Sequence, residues 1–173
     1  MADSRKVPRS PAGDRCVQAA VGSRDAVTDA AAINDVVSGL GEKLGPVLFQ
    51  LPPNFKKDTF VLGDFVNGLP GGMRAAFEFR HESWFDDEVF ELLKATQTAL
   101  CIADTEKLTT PKVSTANWGY LRLRREDYSK IDIEHWVEFV RAQHGWDDVF
   151  IYFKHEEAGI GPKLAAQMME LLA

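Results

Sequence analysis

Five short apolar runs in this chain each end on polar or charged side chains, and those endings hold most of the residues able to do chemistry. Gln50 closes GPVLFQL, and Glu78 and Arg80 close RAAFEFRH, with His81 as its last letter. Asp104 closes ALCIAD, Arg122 and Arg124 close WGYLRLR, and Lys154 closes DVFIYFK, followed by His155. Glu78, Asp104 and His81 are residue types that take and give protons, so they are the candidate catalytic groups. Arginine grips carboxylate or phosphate through two parallel hydrogen bonds, which makes Arg80, Arg122 and Arg124 candidate ligand-binding groups, with Gln50, Lys154 and His155 beside them. Glu78 and Asp104 face four cations (Arg80, Arg122, Arg124, Lys154), an excess of two positive charges. The chemistry this implies is capture of a small anionic molecule bearing phosphate or carboxylate.

A rival reading uses the same residues. Glu78, Arg80, Asp104 and Arg122 can form an internal salt-bridge network that does no chemistry. His81 and His155 each follow an apolar run and can simply hydrogen-bond a loop. No His-x-His or His-Glu-x-x-His spacing is present, so no metal and no cofactor are expected. GIGP, residues 159–162, lacks the spacing of a dinucleotide fingerprint and the lysine and hydroxyl of a P-loop. Its position after the last run is nevertheless where barrels often keep a phosphate. Trp84, Trp118, Trp136 and Trp146 read as packing residues, Trp84 and Trp118 flanking the charged ends. There is no nucleophile elbow and no Ser-His-Asp pattern.

The elements that must position these ends follow from periodicity. The apolar runs read as strands, at 45–51, 74–81, 99–104, 118–124 and 148–154. Between them lie helical patterns. One begins near Thr28 or Asp29 and carries Ile33, Val36, Val37 and Leu40. Another is capped by Asp58, with Val61, Leu62, Phe65, Val66 and Leu69 on one stripe. Ser83 or Asp86 caps a third, Asp132 starts a fourth, and Pro162 opens the last. Only 105–117 lacks a helix pattern. Strands alternating with helices mean βα units on a parallel sheet, whose ligands bind at the carboxyl ends of the strands.

Composition narrows the classes. The chain has 173 residues, 45% hydrophobic and 27% charged, enough for one domain with its own core. A formal charge of −6 argues against a nucleic-acid partner. No apolar run approaches the roughly 18–20 residues of a membrane span, so no membrane association is expected. Cys16 and Cys101 form no disulfide framework, and a cytoplasmic setting is expected. Residues 1–27 show neither helical nor strand period and read as a poorly ordered tail ahead of the domain at 28–173.

Taken together, LGPVLFQLPPNF (44–55), FEFRHESWF (77–85), the Asp104 run end, WGYLRLR with Tyr128 beyond it, and YFKHEEAGIGPKLA (152–165) closely resemble the YecE-like family, domain of unknown function 72. The resemblance runs from about residue 35 to the C-terminus. It implies a TIM-barrel-like α/β fold in which Gln50, Glu78, Arg80, His81, Asp104, Arg122 and Lys154 line the barrel mouth, and it implies no reaction. Family barrels need eight βα units, and this chain reads as about five parallel strands, a partial (β/α) barrel. Two expectations follow: a truncated, non-catalytic barrel or partner-binding module is the alternative to an enzyme, and exposed sheet edges, at 47–51 and 149–154, invite self-association.

Overall fold

Strands buried on both faces read as near-continuous apolar runs, and the five expected runs form five strands in chain order. A computed structural model describes residues 15–20, 39, 43–153 and 159–173. In it β2 spans Leu44–Gln50, β3 Ala75–Glu78, β4 Ala99–Asp104, β5 Trp118–Leu123 and β6 Asp148–Phe153. Each pairs in parallel with the next. An additional strand, β1, spans Arg15–Ala20 and pairs in parallel with β2, giving a six-stranded sheet in the order β1 to β6.

β1 corrects the expectation that the stretch before residue 28 holds no strand. Its sequence, RCVQAA, has one β-branched residue and no alternation. It is a strand because β2 offers an unpaired edge, a tertiary cause that outweighs weak local propensity. One edge of the sheet is therefore β1, and not 47–51. The expected helix at 28–40 and most of the expected tail lie outside the described residues.

Helices cover the outer face. α1, Thr59–Gly68, starts where the Asp58 carboxylate accepts from Val61 N–H, and it buries Leu62, Phe65 and Val66. α2, Asp87–Ala95, is capped by Asp86 through Glu88 N–H and buries Val89, Phe90 and Leu93. α3, Lys130–Arg141, begins two residues ahead of Asp132, because Ser129 is the cap and Asp132 closes a reciprocal capping box with it. α4, Ile160–Leu172, is entered through Gly159 at φ +67°, a left-handed geometry that glycine adopts without strain. Among the described residues no helix is long and apolar enough to cross a membrane.

Two outer cores result. Phe49, Phe77, Phe79 and Trp84 pack with α1 and α2, while Ile102, Leu121 and Leu123 pack with α3 and α4. A third cluster joins Leu48, Ala76, Cys101, Tyr120 and Phe150 on the inner face. That cluster draws members from β2 through β6, and the sheet curls around it into a half-barrel. At its amino-terminal end Arg74 reaches Asp148 at 2.7 Å and lies over the Phe150 ring. Between β4 and β5 the chain runs without a helix, as its pattern predicts. Thr115 fastens this segment, accepting from Leu100 N–H and donating to the Thr98 carbonyl, each at 2.7 Å.

Candidate functional site

Strand side chains alternate, so the face of each charged residue follows from its neighbours. In β3, Phe77 belongs to the outer core, which places Ala76 and Glu78 on the inner face. Phe79 continues the outer row, stacked on Trp84 at 4.8 Å. In β5, Leu121 and Leu123 face outward, so Tyr120, Arg122 and Arg124 share the inner row.

Glu78 is the centre of the inner site and is only 3% exposed. Gln50 Nε2 donates to its Oε2 at 2.9 Å, Arg80 Nε donates to its Oε1 at 3.0 Å, and Arg122 Nη1 donates to Oε2 in a short contact. Arg124 Nη1 lies 3.8 Å from Oε1, close enough for charge attraction and beyond hydrogen-bond length. Three guanidiniums surround one carboxylate, an excess of two positive charges.

Burial by itself pushes the Glu78 carboxyl up. The charge and hydrogen bond of Arg122, with the bonds from Gln50 and Arg80, outweigh burial and hold it below the ordinary carboxylate range. At neutral pH Glu78 is thus a fixed negative charge, unlike a base tuned toward neutrality. Arg124 moves the other way: burial first, then the charge of Arg122, disfavours its cationic form. A cation held under those conditions gains from any anion that approaches.

Asp104, expected beside Glu78 at the barrel mouth, does not join this group. It shares its face with Ile102 of the outer core. Tyr128 O–H donates to its Oδ2 at 2.9 Å, and Arg125 Nε lies 3.4 Å from the same oxygen. Arg125 also meets Asp132 in α3 at 3.1 Å. Burial, with Asp104 nearby, raises the Tyr128 phenol well above its usual range. Asp104 therefore ties the ends of β4 and β5 to α3. The two acids expected to work together are separated by the sheet.

His81 lies at the strand exit and is half-buried. Its Nδ1 accepts from Ser83 N–H at 3.1 Å and lies 2.9 Å from Ser83 Oγ, which in turn accepts from Lys57 N–H at 2.9 Å. One ring nitrogen is thereby committed to the turn Glu82–Trp84. Lys154 and His155 lie outside the described residues. Among the described residues no group of three or more His, Cys, Asp or Glu is arranged to hold a metal.

A cleft of about 530 Å³ opens beside the inner site, with Arg80, Lys107 and Arg124, the carboxylates Glu78, Glu106 and Glu126, and Thr110 in its walls. Thr110 and Lys107 come from the loop after β4, and no motif in the sequence marked them. The visible signal was the absence of a helix pattern there, since long irregular loops in compact domains often carry function.

A family model described as "Protein of unknown function DUF72" matches residues 5–173. The chain belongs to the DUF72 family. The match begins well upstream of residue 35, where the motif resemblance starts, and takes in β1. A DUF72 family protein from Thermotoga maritima MSB8 is similar in structure, with a TM-score of 0.74 and 22% identity over 84% of this chain and 65% of that one. Another, from Enterococcus faecalis V583, gives a TM-score of 0.68 and 18% identity over 83% of this chain and 67% of that one. These likenesses are of fold. This DUF72 chain spans about 65% of the Thermotoga protein's length. No curated protein matches it.

Proposed function

We propose that this DUF72 chain binds a small anionic molecule, phosphate- or carboxylate-bearing, at the carboxyl ends of its strands. The supporting observation is the cluster at Glu78, where three guanidiniums share one buried carboxylate; the open cleft beside it also has Lys107, Glu106 and Glu126 in its walls. Arg80 and Arg124 are the ligand-holding groups, because both line the cleft. Arg122 and Gln50 anchor Glu78, and Glu78 fixes the guanidiniums in place as a counter-charge. That role needs no change in its protonation.

A second reading has its own support. Glu78 receives hydrogen bonds on both oxygens from three side chains, as a purely structural network would provide. The two readings separate in a thermal melt at matched ionic strength. A ligand that binds only the folded state stabilises it in proportion to the logarithm of its concentration over Kd. Anion binding requires Tm to climb as phosphate replaces chloride. Identical melts in the two salts would leave the structural network as the better account.

A further inference from the structure

We infer that Lys107 is a further ligand-binding residue of the same cleft, and that the molecule held there carries two anionic groups. One is met by the guanidiniums around Glu78 and the other by the Lys107 ammonium. The inference rests on the anion-site reading and adds the substrate class: a bis-anion, such as a diphosphate or a phosphorylated carboxylic acid, as opposed to a molecule with a single phosphate or carboxylate.

The loop after β4 pins Lys107 to the strand ends. Thr105 Oγ1 accepts from Leu108 N–H at 3.0 Å and donates to the Leu108 carbonyl at 2.6 Å, closing a turn with Glu106 and Lys107 at its tip. The chain then reverses, with Thr109 bridged antiparallel to Asp104 and Thr110 N–H donating to the Ala103 carbonyl at 3.0 Å. The backbone of Lys107 is thereby fixed beside the mouth, and the residue forms part of the cleft wall. Lysine acts there as a point charge on a flexible stem, so the ammonium can follow an anion within the opening.

Charge decides which groups are open to a ligand. The wall carries three cations (Arg80, Lys107, Arg124) and three carboxylates (Glu78, Glu106, Glu126). Over the whole cleft these cancel, so direct contact selects the ligand. Arg80 and Arg124 both lie against Glu78, at 3.0 and 3.8 Å. Arg125, the next cation along the chain, is held by Asp104 and Asp132. Lys107 is exposed, and among the described residues its ammonium has no acidic partner, neither Glu106 beside it nor Glu126 in the same wall. It does not share the Glu78 carboxylate with the guanidiniums either, so it stands as a second, separate cation. An anion that reaches it forms a contact without first breaking one. The size of the cleft agrees. About 530 Å³ lies within the roughly 300–1,000 Å³ of sites that take organic ligands, which leaves one molecule room to meet both places.

The test is calorimetric titration at constant ionic strength with three probes. Methyl phosphate carries one anionic group, phosphoglycolate adds a carboxylate to the same carbon, and propanediol bisphosphate spans further. The full chain is compared with Lys107→Met and Lys107→Arg, each also melted. The parent should bind at least one bis-anion about tenfold more tightly than methyl phosphate, the scale of one charge-assisted contact. Lys107→Met should lose that preference while still binding methyl phosphate, and should melt with the parent. Lys107→Arg should keep the preference. Equal binding of all three probes by the parent, or a preference that survives in Lys107→Met, overturns the inference while the anion site stands. An equal loss of methyl phosphate and bis-anion affinity in Lys107→Met also overturns it, because Lys107 would then share a single anion with the guanidiniums. So does a Lys107→Met variant that melts far below the parent, since the ammonium would already be engaged within the protein. Binding of none of the probes by the parent overturns the inference and the anion site together.

Discussion

Glu78 and Asp104 end strands that lie side by side in the sheet, yet their side chains stand on opposite faces. Glu78 gathers arginines inside the half-barrel, and Asp104 gathers Tyr128 and Arg125 under the helix layer. The acids therefore do separate work, and substitution distinguishes them. Asp104→Ala leaves the Tyr128 hydroxyl without its acceptor and is expected to cost about 1–3 kcal/mol in a urea melt. Phosphate affinity should be unchanged. A loss of affinity as large as that from Arg124→Met would place Asp104 in the site after all.

Glu78→Gln should destabilise the chain by about 3–5 kcal/mol, because it strips three guanidiniums of their shared counter-charge. The effect has a defined pH dependence. The folded-state pKa of Glu78 lies below its ordinary 4.5. Its ionised form therefore stabilises the fold above that value, and the contribution is lost as pH falls from 4.5 through the lower folded value. Melts of parent and Glu78→Gln should differ by a constant amount at neutral pH and converge in acid. A gap that widens on acidification would contradict the assignment.

Phe79→Ala should do the reverse of an arginine substitution. The ring is 1% exposed and stacked on Trp84, so its removal should cost about 3–5 kcal/mol. Anion binding by the fraction that remains folded should persist. Denaturant melts and phosphate titration below the melting range check both halves.

Much of this arrangement is legible in the letters. FEFR places two phenylalanines on one face and Glu78 with Arg80 on the other, and the structure has that alternation. Asp104 is readable by the same rule, since CIAD puts it on the face of Ile102. β1 was not readable, because RCVQAA becomes a strand only through the edge of β2. Thr110 was not readable either. Its place depends on a chain reversal fixed by a threonine side chain and one bridge, neither of which leaves a periodic trace.

Gly119→Ala probes the close approach of β5 to the loop before β6. A Cβ at that position would sit 2.5 Å from the Trp146 ring, which is itself held by a 2.7 Å bond to Ser114. The expected loss is about 1–3 kcal/mol by chemical melt, the usual penalty for overpacking. An unchanged midpoint would show that the indole moves aside freely.

The two end strands give a prediction about association. Among the described residues β1 and β6 each pair on one side only, and unpaired edges recruit further strands. Light scattering on the purified chain should show self-association that rises with concentration. A monomer at every concentration, with a cooperative melt above about 65 °C, the upper end for mesophile domains, would mean that both edges are protected.

The central claim is that the guanidiniums around Glu78 hold an anion, and calorimetric titration of phosphate into the parent, Arg80→Met and Arg124→Met tests it most directly. The account predicts saturable binding to the parent, with at least a tenfold loss in each variant, the scale expected for a charge-assisted contact. Denaturant melts of both variants should stay close to the parent's, since Arg80 and Arg124 are the less buried members of the cluster. A parent that takes up no phosphate, alongside variants that unfold, would contradict the claim and identify the cluster as structural.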